Sequence, residues 1–161
     1  MSEKTLVLFR HAKSDWSRGV ADIARPLARR GRRQAAEAGR WLDAHLATID
    51  LAVVSPAQRT RSTWQLAAAE IGQDPPTRVD DRVYAASVED LLGVLRELPE
   101  AVSTVLLVGH NPGMEEVASV LTGVEVPMQT SAIAVVSVPG SWSDVGHSPG
   151  TVLTSGRPPA P

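Results

Sequence analysis

Two histidines and two arginines stand where short apolar runs of this chain end. Thr5–Phe9 runs into Arg10-His11, Val105–Val108 runs into Gly109-His110-Asn111-Pro112, and Ala52–Val54 delivers Ser55-Pro56 and then Arg59. If those three ends are neighbours, they make a pocket for a tetrahedral dianion. Each arginine offers a fixed fork of donors that matches phosphate and stays charged at any working pH, whereas lysine supplies only a point charge. A neutral imidazole can attack phosphorus in line, and a second, protonated one can hold the equatorial oxygens as negative charge shifts. The ordinary histidine pKa of about 6.5 lets neighbours set opposite charge states on two copies. The joint occurrence carries this reading. His45, on a helix, and His147, in a Gly/Pro-rich stretch, have no supporting neighbours. Arg61 lies in a different helical direction from Arg59 and is the weaker phosphate candidate.

The elements that must position these groups follow from the same runs. Thr5–Phe9, Ala52–Val54 and Val105–Val108 are apolar without alternation, which suits strands buried on both faces of a parallel sheet. Between them the spacing predicts helices from Pro26 to about Leu46, Pro56 to about Ile71 and Ser87 to about Leu98, and a further helix follows Asn111-Pro112. Ser55-Pro56-Ala57-Gln58 reads as a serine cap with proline at the first helical position, and Asn111-Pro112 as an asparagine cap. Ala132–Val138 is another strand and Thr151–Thr154 a short last one. Alternation of strand and helix predicts an α/β fold, a three-layer αβα sandwich around a central, mostly parallel sheet. Ligands of such sheets bind at the carboxyl ends of the strands, where helix N-termini offer N–H groups to anions.

The 161 residues suit one domain, expected over residues 1–155, with a flexible Pro-rich tail at 156–161. A hydrophobic share of 43% with 21% charged residues is a globular balance. Zero cysteines exclude disulfides, cysteine-ligated zinc, iron–sulfur clusters and thiol catalysis, and agree with a cytoplasmic location. The opening MSEKTLVLFRH is too short in its apolar part for a secretory segment, and no run approaches a membrane span, so a membrane partner is not expected. The net charge of −2 gives no global field to attract nucleic acid. Its distribution is uneven, however: residues 1–64 hold 12 of 16 basic and 6 of 18 acidic side chains, which directs the search for anion-binding groups to the first half. Arg29, Arg30, Arg32 and Arg33 read as a solvated helix end, with a nucleic-acid contact as the minority alternative.

Leu8-Phe9-Arg10-His11-Ala12-Lys13-Ser14, followed by Arg25-Pro26-Leu27 and Arg30-Gly31, resembles the opening of the SixA-like phosphohistidine phosphatases of the histidine phosphatase superfamily, which also contains the phosphoglycerate mutases. Ser55-Pro56-Ala57-Gln58-Arg59-Thr60 is similar to that family's second phosphate-binding motif and Val108-Gly109-His110-Asn111-Pro112-Gly113 to its third, with Val83-Tyr84-Ala85-Ala86-Ser87 and Leu91-Leu92 as a weaker fourth block. The resemblance implies a phosphoglycerate mutase-like fold and His11 as a nucleophile that becomes transiently phosphorylated. It implies that Arg10, Arg59 and His110 bind the phosphoryl group, with His110 also catalytic. It further implies a metal-independent reaction that needs no cofactor. Ser14 and Asn111 are second-line pocket candidates.

Where the wider superfamily has Arg-His-Gly, this chain has Ala12, as the SixA-like branch does. Larger relatives place a glutamate acid on an inserted segment, and here the interval between the second and third motifs is short. Asp80, Asp81 and Glu89 lie in it, but none sits in a matching motif, so no general acid is assigned. Losing a positioned acid costs an alkoxide leaving group about 10²–10⁴-fold in rate, whereas an imidazole departs at neutral pH with little help. The expected substrate is therefore phosphohistidine on a phosphotransfer or carrier protein. Alternatives are a small-molecule phosphomonoesterase acting on a small phosphorylated substrate, and a phosphate-binding module without turnover.

Overall fold

The computed structural model describes residues 3–159. Six strands form one sheet in the order β3-β2-β4-β1-β5-β6, with β1 Lys4–Arg10, β2 Leu51–Val54, β3 Thr77–Val79, β4 Thr104–Gly109, β5 Ile133–Val138 and β6 Thr151–Gly156. The first four neighbours in that order pair in parallel, and β5 and β6 join antiparallel. Four helices cover the sheet: α1 Arg29–His45, α2 Gln58–Ala68, α3 Val88–Arg96 and α4 Gly113–Thr122.

The unalternating runs are apolar because both faces of the sheet are covered. Along β1, Leu6 and Leu8 join a core with Leu91, Leu95, Val117 and Leu121 of α3 and α4, while Val7 and Phe9 join a second core with Ala38, Leu42, Trp64 and Ala67 of α1 and α2. Successive strand side chains point to opposite faces, so one run feeds two cores and the result is three layers. α1 and α2 approach closely at Gly39, where an added Cβ would meet the Ala67 carbonyl oxygen at 2.2 Å.

Several elements differ from their sequence expectations for identifiable reasons. β3 has no apolar run to announce it, because all three of its residues are exposed at the sheet edge. α1 starts at Arg29 rather than near Pro26, since Pro26 and Leu27 pair instead with the segment after His11: Asp15 N–H donates to the Pro26 carbonyl at 2.8 Å, and Ser14 bridges Leu27. α2 starts at Gln58, capped by Ala57 and not by Ser55, and α4 starts at Gly113. Asn111 nevertheless satisfies one N–H of the first turn of α4, accepting from Glu115 N at 3.2 Å. The last strand continues to Gly156, which pairs with Ile133 and bridges to Pro159, while the Arg157 side chain bonds Gln129. The tail expected from residue 156 thus enters the ladder at Gly156, because ladder bonds need backbone and no side chain; residues 160–161 lie outside the described residues.

Candidate active site

The three strand ends are neighbours. β2, β4 and β1 lie side by side in parallel, with Val54 opposite Val108 and Arg10 opposite Gly109. Backbone bonds carry this order past the strands: His11 N–H donates to Gly109 O at 3.0 Å and Ser55 N–H to Val108 O at 3.1 Å. Arg10, His11, Arg59 and His110 therefore line one cavity of about 290 Å³, with Lys13, Ser14, Trp16, Asp22, Arg25, Asn111 and Thr130. A larger cleft of about 510 Å³ lies against α4, but Glu115, Glu116 and Glu125 line it, and those carboxylates repel a dianion.

His11 is buried, and its Nδ1 lies 2.8 Å from the Ala12 carbonyl oxygen. A carbonyl only accepts, so Nδ1 carries the proton and Nε2 presents its lone pair. Burial, followed by Arg59, Arg10 and Arg25, lowers the His11 pKa to about 4, against the opposing Ala12 hydrogen bond. The ring of His110 lies 5.2 Å from that of His11. Burial, then His11, Arg59 and Arg25, lowers the His110 pKa to about 3, with Asp22 opposing. Both imidazoles are thus neutral at pH 7. This agrees with the expectation for His11 and differs from the protonated state expected for His110, because burial, with the Arg59 and Arg25 charges, outweighs the one carboxylate.

Three polar groups at the cavity are buried without a partner among the described residues: Arg10 Nε, Arg59 Nε and His110 Nδ1. Arginine nitrogens only donate, and an unsatisfied buried donor costs about 1–3 kcal/mol. A site that keeps such donors beside one another has the composition of an oxyanion cradle. Arg10 is itself held by donating from its terminal nitrogen to Met128 O at 2.9 Å.

Ser14 is buried and accepts a 2.6 Å hydrogen bond from Arg25, so it orients that arginine. Asn111 lines the cavity, but its polar atoms are occupied: Nδ2 donates to Glu115 and to Met128 O, and Oδ1 accepts from Glu115 N. It braces the wall. Asp80, Asp81 and Glu89 do not line the cavity, and Asp80 instead pairs with Arg82 at 2.8 Å.

Several lining or supporting groups escaped the sequence reading. Asp22 accepts from Arg25 Nε at 3.1 Å, Arg59 at 3.1 Å and Tyr84 Oη at 2.5 Å. Those bonds, Tyr84 foremost, hold its carboxyl well below the usual carboxylate range, against a partial desolvation. Arg25 also lies over the Trp16 ring, 3.4 Å from its centroid. Ser55, expected as a helix cap, places its hydroxyl 2.7 Å from His110 Nε2 and accepts from Ala57 N–H at 3.3 Å. Asp22 three residues before Arg25 is a local signal for that ion pair, whereas nothing local links Tyr84 to Asp22 or Ser55 to His110.

The histidine phosphatase superfamily (branch 1) matches residues 6–120. An uncharacterized protein of Mycobacterium tuberculosis is 38% identical over 147 residues, which cover 84% of this chain and 90% of that one. A structure from Nakamurella multipartitia, assigned provisionally to the phosphohistidine phosphatase SixA, superposes with a TM-score of 0.84 at 30% identity, covering 97% of this chain and 96% of that one. A structure of the protein histidine phosphatase SixA complexed with tungstate gives a TM-score of 0.81 at 25% identity, with 94% and 95% covered.

Proposed function

The chain belongs to the histidine phosphatase superfamily and is a phosphatase with SixA-like neighbours; from that premise we propose that it hydrolyses phosphohistidine on a protein, without a metal, through a phosphorylated His11. His11 Nε2 attacks phosphorus in line. As the new N–P bond forms, the substrate's N–P bond breaks and its imidazole, protonated at the far nitrogen beforehand, leaves neutral. The proton of His11 stays on Nδ1, hydrogen-bonded to the Ala12 carbonyl oxygen, so the phosphorylated His11 carries the positive ring that the substrate has lost. Water then attacks the phosphorus, releasing dihydrogen phosphate and restoring neutral His11. Arg10, Arg59 and His110 hold the equatorial oxygens in both steps, and a hydrogen bond from Ser55 to His110 Nε2 leaves the Nδ1 proton of His110 for the phosphoryl group.

One observation carries the choice of substrate. The carboxyl group lining the cavity, Asp22, is kept ionised by Tyr84, Arg25 and Arg59. A carboxylate held in that state does not protonate a departing alkoxide at pH 7, and both histidines are neutral there as well. A phosphoimidazolium brings its own proton, so its departure needs no acid from the protein. The binding of tungstate by a SixA relative supports the same pocket chemistry, and this chain is expected to take that tetrahedral oxyanion too.

The test compares release of phosphate from a histidine-phosphorylated carrier protein and from an alkyl phosphate monoester such as glycerol phosphate, in EDTA, by the wild type and His11→Ala. Preferential release from phosphohistidine that vanishes in the variant is expected. Comparable or faster turnover of the ester would replace the reading with a small-molecule phosphomonoesterase, and loss of the wild-type activity in EDTA would overturn metal independence.

A further inference from the structure

We infer that the loop from Trp16 to Ile23 and the arginine-rich start of α1 form one docking surface for an acidic protein face that surrounds the phosphorylated histidine. This rests on the phosphoprotein reading above and names the chemistry of the partner. Trp16, Val20 and Ile23 are 71%, 47% and 42% exposed, and the segment that holds them walls the catalytic cavity through Trp16 and Asp22. Protein interfaces place aromatic anchors and arginines at their centres, and Trp16 stacked on Arg25 is such a pair at the mouth of the site.

The charge beside this loop has no structural explanation inside the chain. Arg29, Arg30, Arg32 and Arg33 are exposed on the first two turns of α1, and none of them forms an ion pair among the described residues. The first turn contains no acidic residue, and its cap, Ala28, has no side-chain acceptor. Cations there oppose the helix dipole, so these side chains weaken the helix end that carries them. Such a conflict between local stability and sequence is expected where a surface serves binding. The helix end is also fixed to the site: Ala28 N–H donates to Lys13 O at 2.9 Å, and Lys13 N–H to Gln34 Oε1 at 3.0 Å. Asp22 in the loop and Asp15 just before it already bond Arg25 and Arg18. An incoming surface therefore meets an apolar centre flanked by unpaired positive charge. The exposed aliphatic side chains Val20 and Ile23, which offer no ring for a base to stack on, favour an acidic protein face over a nucleic acid.

The test uses Val20→Glu and the pair Arg30→Glu/Arg32→Glu, none of which touches the catalytic groups. Phosphate release is measured from an acidic histidine-phosphorylated carrier protein and from phosphoimidazole. The variants are expected to lose about tenfold in kcat/KM on the protein, mainly through KM, and to stay within about twofold of wild type on phosphoimidazole. Raising NaCl from about 50 to about 300 mM should weaken only the protein reaction. Unchanged kinetics on the protein, or equal losses on both substrates, would overturn the docking surface while leaving the phosphoprotein reading standing. Wild-type turnover of phosphoimidazole without turnover of the carrier protein would overturn that reading and the surface with it. Tight binding of a labelled single-stranded oligonucleotide that the arginine reversals abolish and the carrier protein does not compete away would reassign the surface to nucleic acid.

Discussion

His11 and His110 are both held neutral by burial and by arginines, and this has a consequence for stability. Their folded pKa values, about 4 and about 3, lie below the ordinary 6.5 of an unfolded chain. Between those limits the unfolded state binds more protons than the folded one, so stability rises with pH across the window. The contribution is fully present above about pH 6.5 and is lost as pH falls toward about 4 for His11 and about 3 for His110. Thermal melting followed from pH 7.5 down to pH 4.5 should show a falling Tm, with a shallower slope in His11→Asn/His110→Asn. An equal slope in the double variant would place the acid sensitivity elsewhere.

The elements hold the cradle through two packing contacts of different kinds. α1 presses on the segment after His11 at Gly31, where an added Cβ would stand 2.0 Å from the Lys13 carbonyl oxygen. That neighbour is backbone and cannot rotate away, so Gly31→Ala must separate the helix from the cavity wall, at an expected cost of about 1–3 kcal/mol in denaturant unfolding. On the other side, α4 fastens the loop that anchors Arg10. Glu115 accepts from Met128 N at 2.8 Å and from Asn111 at 3.0 Å, and the Met128 carbonyl takes the Arg10 bond. Glu115→Ala releases that loop and is expected to weaken tungstate binding about tenfold by calorimetry, with the far-ultraviolet spectrum unchanged. Full affinity in the variant would show that Arg10 is held without α4.

The whole molecule divides its work between a two-sided core and one charged rim. With 12 of 16 basic side chains before residue 65, the positive groups of the cavity and of α1 come from one half of the chain, and the glutamates that line the α4 cleft, Glu115, Glu116 and Glu125, come from the other. A ligand that binds only the folded state adds its binding energy to stability. Tungstate at about 100 times its Kd should contribute about 2.7 kcal/mol, raising Tm by about 5–10 °C for a domain of this size. Arg59→Ala should remove most of that rise, and a rise that persists in the variant would put the oxyanion at another site.

The apolar runs of β1, β2 and β4, and the histidines and arginines that end them, were legible because burial on both faces demands continuous apolar residues and because parallel strands present their carboxyl ends together. Those patterns are local, and a chain read from one end displays them. β3 was not legible, since an exposed edge strand of three residues carries no such pattern. Nor was the use of Ser55, whose position before Pro56 reads as a cap until β2 and β4 are set side by side and its hydroxyl meets His110, 55 residues away. The same holds for Tyr84 on Asp22, 62 residues apart. The chain's local patterns pick out the histidines and arginines proposed to hold and attack a phosphoryl group and set Arg10, His11 and His110 at or just past strand ends. The tertiary structure alone decided which neighbours set their charge, because a polar contact between distant residues depends on strand order and leaves no periodicity in the chain.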